Sequence, residues 1–242
     1  MPKRNGGGRR TNDLCVFKTE NIMTTKQTIA VIGATGNMGS AISKSLAKGA
    51  NRLLLCANDE EKIQALTQKI KTANPSADVE AVDCTIDASW EADIIIMAVP
   101  YRAEKDVADR IKEVANQKIV VSIANPLNET FDGLVTAPDT SAAEELQKLL
   151  PNSKVVKAFN TTFAADFATP VIDGKQVDAF VAGNDEAAVQ TVTELVKTAG
   201  FNPIVAGKLS VSGTLERMQL LLIQLGLKYN YNWLAGWKIL HS

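Results

Sequence analysis

The chain has 242 residues, 45% hydrophobic and 22% charged, with a formal net charge of -1. A chain of this size buries a substantial core; it has no basic excess to suit a nucleic-acid partner and no apolar run that reads as a membrane span. Its three cysteines, Cys15, Cys56 and Cys84, are odd in number and widely spaced, which argues against a disulfide framework or a zinc site and fits a reducing cytoplasm.

The opening "MPKRNGGGRRTND" is rich in glycine and arginine without apolar periodicity, so residues 1–24 read as a flexible leader. It lacks the apolar centre of a secretory signal, and Met23 is a candidate start of translation. "IAVIGATGNMGSAISKSLA" follows from Ile29. Its continuous β-branched run, then Ile42, Leu46 and Ala47 at helical spacing, predict strand, tight turn and helix. Gly33, Gly36 and Gly39 punctuate the turn, where glycine permits a sharp bend, close approach of a ligand, or close packing of helix on strand. Free amides at the helix start suit a phosphate, and Thr35, Asn37 and Ser40 add hydrogen-bonding groups. The register is GxxGxxG, with Ala34 standing where a regular GxGxxG would have its first glycine. The flanking strand and amphipathic helix make it a dinucleotide-binding turn.

"RLLLCAND" reads as a second strand, Glu60 to Thr72 as a helix, "VEAVD" as a third strand and Asp93 to Pro100 as a fourth. Tyr101 to Asn116 reads as helix, and "KIVVSIANP" as a fifth strand. Asn128 to Thr140 is a loop, Ser141 to Leu150 a helix and "KVVKAFN" a sixth strand. "VDAFVAGND" adds a strand, Asn184 or Asp185 caps a helix to Thr198, "GFNPIVAG" follows, and a leucine-rich helical pattern starts at Ser212. Strands alternating with helices predict an α/β fold: a doubly wound parallel Rossmann sheet with a smaller C-terminal α/β part ending in a long helical segment. The expected division is a nucleotide-binding domain over 25–160 and a substrate and dimerisation part over 161–242, the apolar final helix suggesting a homodimer.

In such sheets ligands sit beyond the carboxyl ends of the strands: Gly33 to Gly39, Ala57 to Asp59, Val99 to Tyr101, Asn125 to Leu127 and Ala158 to Thr161. These stretches are poor in proton-transfer groups, and the single histidine, His241, is penultimate, so no catalytic acid or base is assigned. Tyr101, Lys105 and Ser89 mimic a short-chain dehydrogenase set. A whole strand separates Ser89 from Tyr101, about 20 Å at roughly 3.3 Å per residue, so Ser89 reads as a loop residue and Tyr101 as a cleft wall. Past the second strand Asn58 suits either ribose, Asp59 opposes a phosphate or caps a helix, and Lys62 attracts a phosphate. NADP is the preferred cofactor, with NAD as the alternative.

The stretches "GATGNMG", "EEK", "VPY", "KIVVS", "SAAEEL", "VVKAFNT", "AGNDEAA" and "GFNPIVAGKL" resemble, in order, the NADP oxidoreductases that use 8-hydroxy-5-deazaflavin, coenzyme F-420. The chain is also similar to the cytosolic oxidoreductase domain of the STEAP metalloreductases. The resemblance implies that Thr35, Asn37 and Met38 hold the pyrophosphate and that Val99, Pro100, Ala158, Phe159 and Asn160 border the nicotinamide. It further implies direct hydride transfer between nicotinamide and a deazaflavin or flavin co-substrate. Where NADP-preferring members carry "SR", this chain has Ala57 and Asn58, with Lys62 as the matching lysine. The second substrate's site is expected around Phe163 and the helix from Thr214. Competing readings are a non-catalytic NAD(P) sensor and a small-metabolite dehydrogenase or imine reductase.

Overall fold

The computed structural model describes residues 26–241; the expected leader, Met23 and Cys15 lie outside the described residues. In chain order the first half comprises β1 (Thr28–Ile32), α1 (Asn37–Leu46), β2 (Arg52–Cys56), α2 (Glu60–Ala73), β3 (Asp78–Ala81), α3 (Thr85–Glu91), β4 (Ile94–Met97), α4 (Tyr101–Ile111), β5 (Ile119–Ser122), α5 (Ala142–Leu149) and β6 (Lys154–Lys157). A hairpin of β7 (Val171–Ile172) and β8 (Lys175–Gln176) follows, then β9 (Asp178–Gly183), α6 (Glu186–Thr198), β10 (Asn202–Gly207) and α7 (Ser212–Tyr229).

One sheet has the order β10-β9-β6-β5-β4-β1-β2-β3. Strands β1 to β6 run parallel. From β1 the chain moves outward to β2 and β3 and then returns to the other side at β4, which leaves a crevice between the carboxyl ends of β1 and β4. Alternation along β1 divides the interior: Ile29 and Val31 join the core on the α1, α2 and α6 face, Ala30 and Ile32 the core on the opposite face. Asp59, Ser141 and Asp185 cap α2, α5 and α6, each accepting the amide three residues on.

Two sequence expectations are corrected. Ser89 is buried in α3 rather than in a loop; seven residues with only Ala88 and Ser89 buried give too little periodicity to read. The helix from Tyr101 ends at Ile111, short of Asn116. The expected doubly wound parallel sheet is present over β1 to β6, and the C-terminal part extends it, β9 joining β6 antiparallel and β10 lying beside β9. Residues beyond 160 thus continue the same sheet.

Lys157, at the end of β6, is fully buried, and its Nζ lies 2.6 Å from Oε1 of the equally buried Glu216 on α7. It also donates to the Ala124 carbonyl beyond β5, while Glu216 accepts the Ala142 amide at the start of α5. Glu104 of α4 lies close by, 3% exposed, with Oε1 lacking a hydrogen-bond partner. Burial, opposed by Lys157 and reinforced by Glu216 and Glu145, pushes its carboxyl up to about 8 from an ordinary 4.5. The folded protein therefore holds a proton that the unfolded chain releases. The stability this contributes is complete below pH 4.5 and is lost as pH rises through 8. We expect Glu104→Gln to flatten the fall in urea midpoint between pH 5 and 9; an unchanged pH profile would contradict the assignment.

Candidate active site

The turn after β1 is built by glycines with different duties. Gly33 has φ +84, and a Cβ there would stand 2.4 Å from the Ala98 carbonyl oxygen. On Gly39 a Cβ would meet the Gly33 oxygen at 2.2 Å. These two positions allow α1 and β4 to close on the turn. Gly36 differs, because the nearest atom to an added Cβ is 3.4 Å away, so its bare backbone leaves room on the open side. The amides of Gly33 and Ala34 donate to the Cys56 carbonyl at 2.8 and 3.0 Å, tying the turn to the end of β2. Helix α1 has no side-chain N-cap and no acidic residue in its first turn, so its first amides are available to an external anion.

Beside this turn lies a cavity of about 340 Å³. Gly33, Thr35 and Gly36 form its floor, Asn58 and Asp59 one wall, and Val99 and Pro100 another. Asn37 instead borders a groove along α1 towards Ala164, and Met38 packs on the core. Lys62 does not line the cavity. Its ammonium is 2.7 Å from Asp59 Oδ2, and its side chain is 73% exposed. Lys62 holds the Asp59 carboxyl below its ordinary value, so Asp59 is both the helix cap and a paired carboxylate. Cys56 also touches the cavity, but burial pushes its thiol up to about 12, and it stays protonated.

Two strands over from β4, Ala158, Phe159 and Asn160 emerge buried from β6. Phe159 has φ +60, a conformation a bulky side chain adopts only under constraint; its carbonyl accepts the Thr162 hydroxyl at 2.8 Å. Asn160 and Asn125 bond reciprocally: Asn125 Nδ2 donates to the Asn160 carbonyl at 2.8 Å and Asn160 Nδ2 to Asn125 Oδ1 at 3.0 Å. Asn160 Oδ1 is buried and without a partner in this arrangement, an acceptor to spare beside the expected nicotinamide.

Tyr101 turns away from the cavity, contrary to expectation, and its hydroxyl donates to Glu145. Lys105 pairs with Asp109, and the carbonyl of Ser89 accepts the Lys118 ammonium before β4 begins, so Ser89, Tyr101 and Lys105 form no catalytic set. Beyond Asn160 a second cavity of about 120 Å³ is bounded by Phe163, by Ile223, Gly226 and Leu227 of α7, and by Asn230, Asn232 and Trp233. The Phe163 and Trp233 rings meet edge to face at 5.6 Å. Buried Asp166 accepts the Phe163 amide at 2.7 Å, and burial raises its carboxyl to about 7. Asp178 secures the following segment through the Lys238 ammonium at 2.7 Å and the Ile239 amide at 2.6 Å.

Residues 28–126 match the family described as NADP oxidoreductase, coenzyme F-420-dependent. The F-420-dependent NADP reductase of Methanocaldococcus jannaschii is 34% identical over 212 residues, which cover 83% of this chain and 93% of that protein. The chain belongs to this family. A crystal structure of a candidate F-420-dependent NADP reductase from Arthrobacter sp. FB24 superposes with a TM-score of 0.74 at 26% identity, covering 89% of this chain and 100% of that one. The metalloreductase STEAP3 of Rattus norvegicus is 28% identical over 137 residues, 57% of this chain and 27% of that protein. Both resemblances read from the sequence are present among the relatives.

The sequence reading missed the part of the cavity lining that α4 supplies, Ala103, Asp106, Val107 and Arg110, as well as Thr85 of α3. Ala103, Asp106, Val107 and Arg110 follow helical spacing and all line the cavity, so the face turned to the crevice was readable once Val99 and Pro100 were placed there. The glycine geometry gives a paired expectation. Gly36→Val should keep the melting temperature and weaken NADPH binding on the order of a hundredfold, whereas Gly39→Ala should lower stability by about 1–3 kcal/mol. Calorimetric titration and thermal melts check both, and retained NADPH affinity in Gly36→Val would displace the pyrophosphate from this turn.

Proposed function

We propose that the protein transfers hydride between NADP and a deazaflavin of the F-420 type, each ring held against the other at the carboxyl end of the sheet. The observation that carries this reading is the pair of cavities: a glycine turn with open helix amides at β1, and an aromatic-walled pocket after β6, with Asn160 between them in the chain. The first-turn amides of α1, that of Asn37 among them, bind the pyrophosphate together with Thr35; Val99, Pro100 and the Ala158 to Asn160 turn border the nicotinamide. Phe163 and Trp233 offer apolar ring surface to the acceptor.

When bound, the nucleotide and the acceptor would supply the chemistry, a hydride exchanged between two ring carbons with the accompanying proton drawn from solvent. This chain's residues bring the rings together and exclude water. Around the glycine turn Asp59 is paired and Cys56 protonated, and no residue there is assigned as catalytic.

Residues 25–160 are proposed as the nucleotide-binding part and 161–242 as the acceptor and dimerisation part. Exposed Leu221, Leu227, Tyr229, Leu234 and Leu240 support a homodimer through that part. A cytoplasmic location is proposed from the free Cys56 and Cys84 and from the family's substrates. No helix among the described residues is long and apolar enough to cross a membrane.

Titration with NADPH and NADH, followed by hydride transfer to deazaflavin, FMN, FAD and ferric chelates, tests the reading. NADPH oxidation should be fastest with the deazaflavin. Tight NADPH binding with no turnover on any ring acceptor would contradict it and favour a nucleotide sensor.

A further inference from the structure

The lining of the glycine-turn cavity contains a single cationic side chain, that of Arg110. In this type of fold the ribose next to adenine lies at the end of β2, here Asn58 and Asp59, and the cavity they line is also lined by Thr85 of α3 and by Asp106 and Arg110 of α4. Lys62, the basic residue nearest in sequence, stands outside the lining with its charge matched by Asp59 at 2.7 Å. Asp59 is likewise neutralised by that pair and fixed as the cap of α2. This leaves Asp106 and Arg110 as the charges the cavity presents. Arg110 is exposed, and among the described residues it enters no ion pair or side-chain hydrogen bond, whereas Lys105 on a neighbouring face of the same helix is paired with Asp109.

We propose that Arg110 binds the 2′-phosphate of NADP and is the residue that makes this cleft choose NADP over NAD. The inference rests on the nicotinamide reading above and adds the specificity determinant. A phosphate monoester brings nearly two negative charges, and a guanidinium donates to two of its oxygens at once. Without Arg110 that phosphate meets the Asp106 carboxylate and no unpaired cation. Removing the guanidinium therefore does more than delete a contact: it turns the cavity against the phosphate while leaving Asn58 to hydrogen-bond an unmodified ribose.

The test compares wild type with Arg110→Ala, Arg110→Lys and Lys62→Ala by calorimetric titration of NADPH, NADH, adenosine 2′,5′-bisphosphate and 5′-AMP. Arg110 is exposed, so its variants are expected to fold; matched thermal melts check this. Arg110→Ala should weaken NADPH and the bisphosphate by about tenfold or more and change NADH and 5′-AMP by less than about twofold. Arg110→Lys should fall between, and Lys62→Ala should leave the NADPH to NADH ratio within about twofold. Equal weakening of NADH and NADPH in Arg110→Ala would assign Arg110 to the adenine and overturn the proposal, as would a preference lost in Lys62→Ala and kept in Arg110→Ala. A wild-type protein that binds none of the four nucleotides would overturn the nicotinamide reading itself.

Discussion

A fully buried lysine and a fully buried glutamate, Lys157 and Glu216, tie the end of β6 to α7. Lys157 closes β6, where the sheet turns from parallel to antiparallel, and the next three residues are the Ala158 to Asn160 turn. Glu216 belongs to α7, the helix that walls the aromatic pocket. The pair therefore relates the turn after β6, proposed to border the nicotinamide, to the helix beside the aromatic pocket, and the extra bonds to the Ala124 carbonyl and the Ala142 amide satisfy atoms the pair alone leaves open. Breaking one partner strands the other charge in the interior, a cost of about 3–5 kcal/mol in comparable buried pairs. A neutral, well-packed substitute could match the stability. What the ion pair adds here is direction, since its hydrogen bonds fix α7 relative to β6.

The same region explains how a cleft so poor in proton-transfer groups can be an active site. Hydride passage between two ring carbons needs distance and alignment, and both are properties of the frame. The frame spends unusual backbone on it: Phe159 in a left-handed conformation, Asn160 locked to Asn125, and Trp233 also at positive φ, +58. Titratable groups that burial moves towards neutrality, Glu104 and Asp166, lie behind these walls: Glu104 faces the ion pair, and Asp166 holds the Phe163 amide.

Much of this was legible in the chain. Apolar β-branched runs located the parallel strands, because strands buried on both faces have no alternation to obscure. The glycine spacing located the turn, and side-chain caps such as Asp185 marked helix starts. Where the reading failed, the missing information was non-local. Nothing in "VDAFVAGND" states that β9 enters antiparallel, since both orientations bury the same side chains. Seven-residue α3 has too few buried positions to show a period. The β7–β8 hairpin did carry a signal, Asp173-Gly174 with both residues at positive φ, that went unread. In the site, Lys62 was favoured by its place in the chain, but its partner Asp59 and the approach of Arg110 from another helix are consequences of folding.

The central claim is that this frame passes hydride directly from one ring to the other with no protein group as carrier. NADPH carrying deuterium at the transferring face of nicotinamide C4, incubated with oxidised deazaflavin in ordinary water, tests it most directly by mass spectrometry of the reduced acceptor. The account predicts one deuterium per acceptor, bound to carbon and not exchanged with solvent. Reduced acceptor without the label, with deuterium recovered in water or on the protein, would contradict it.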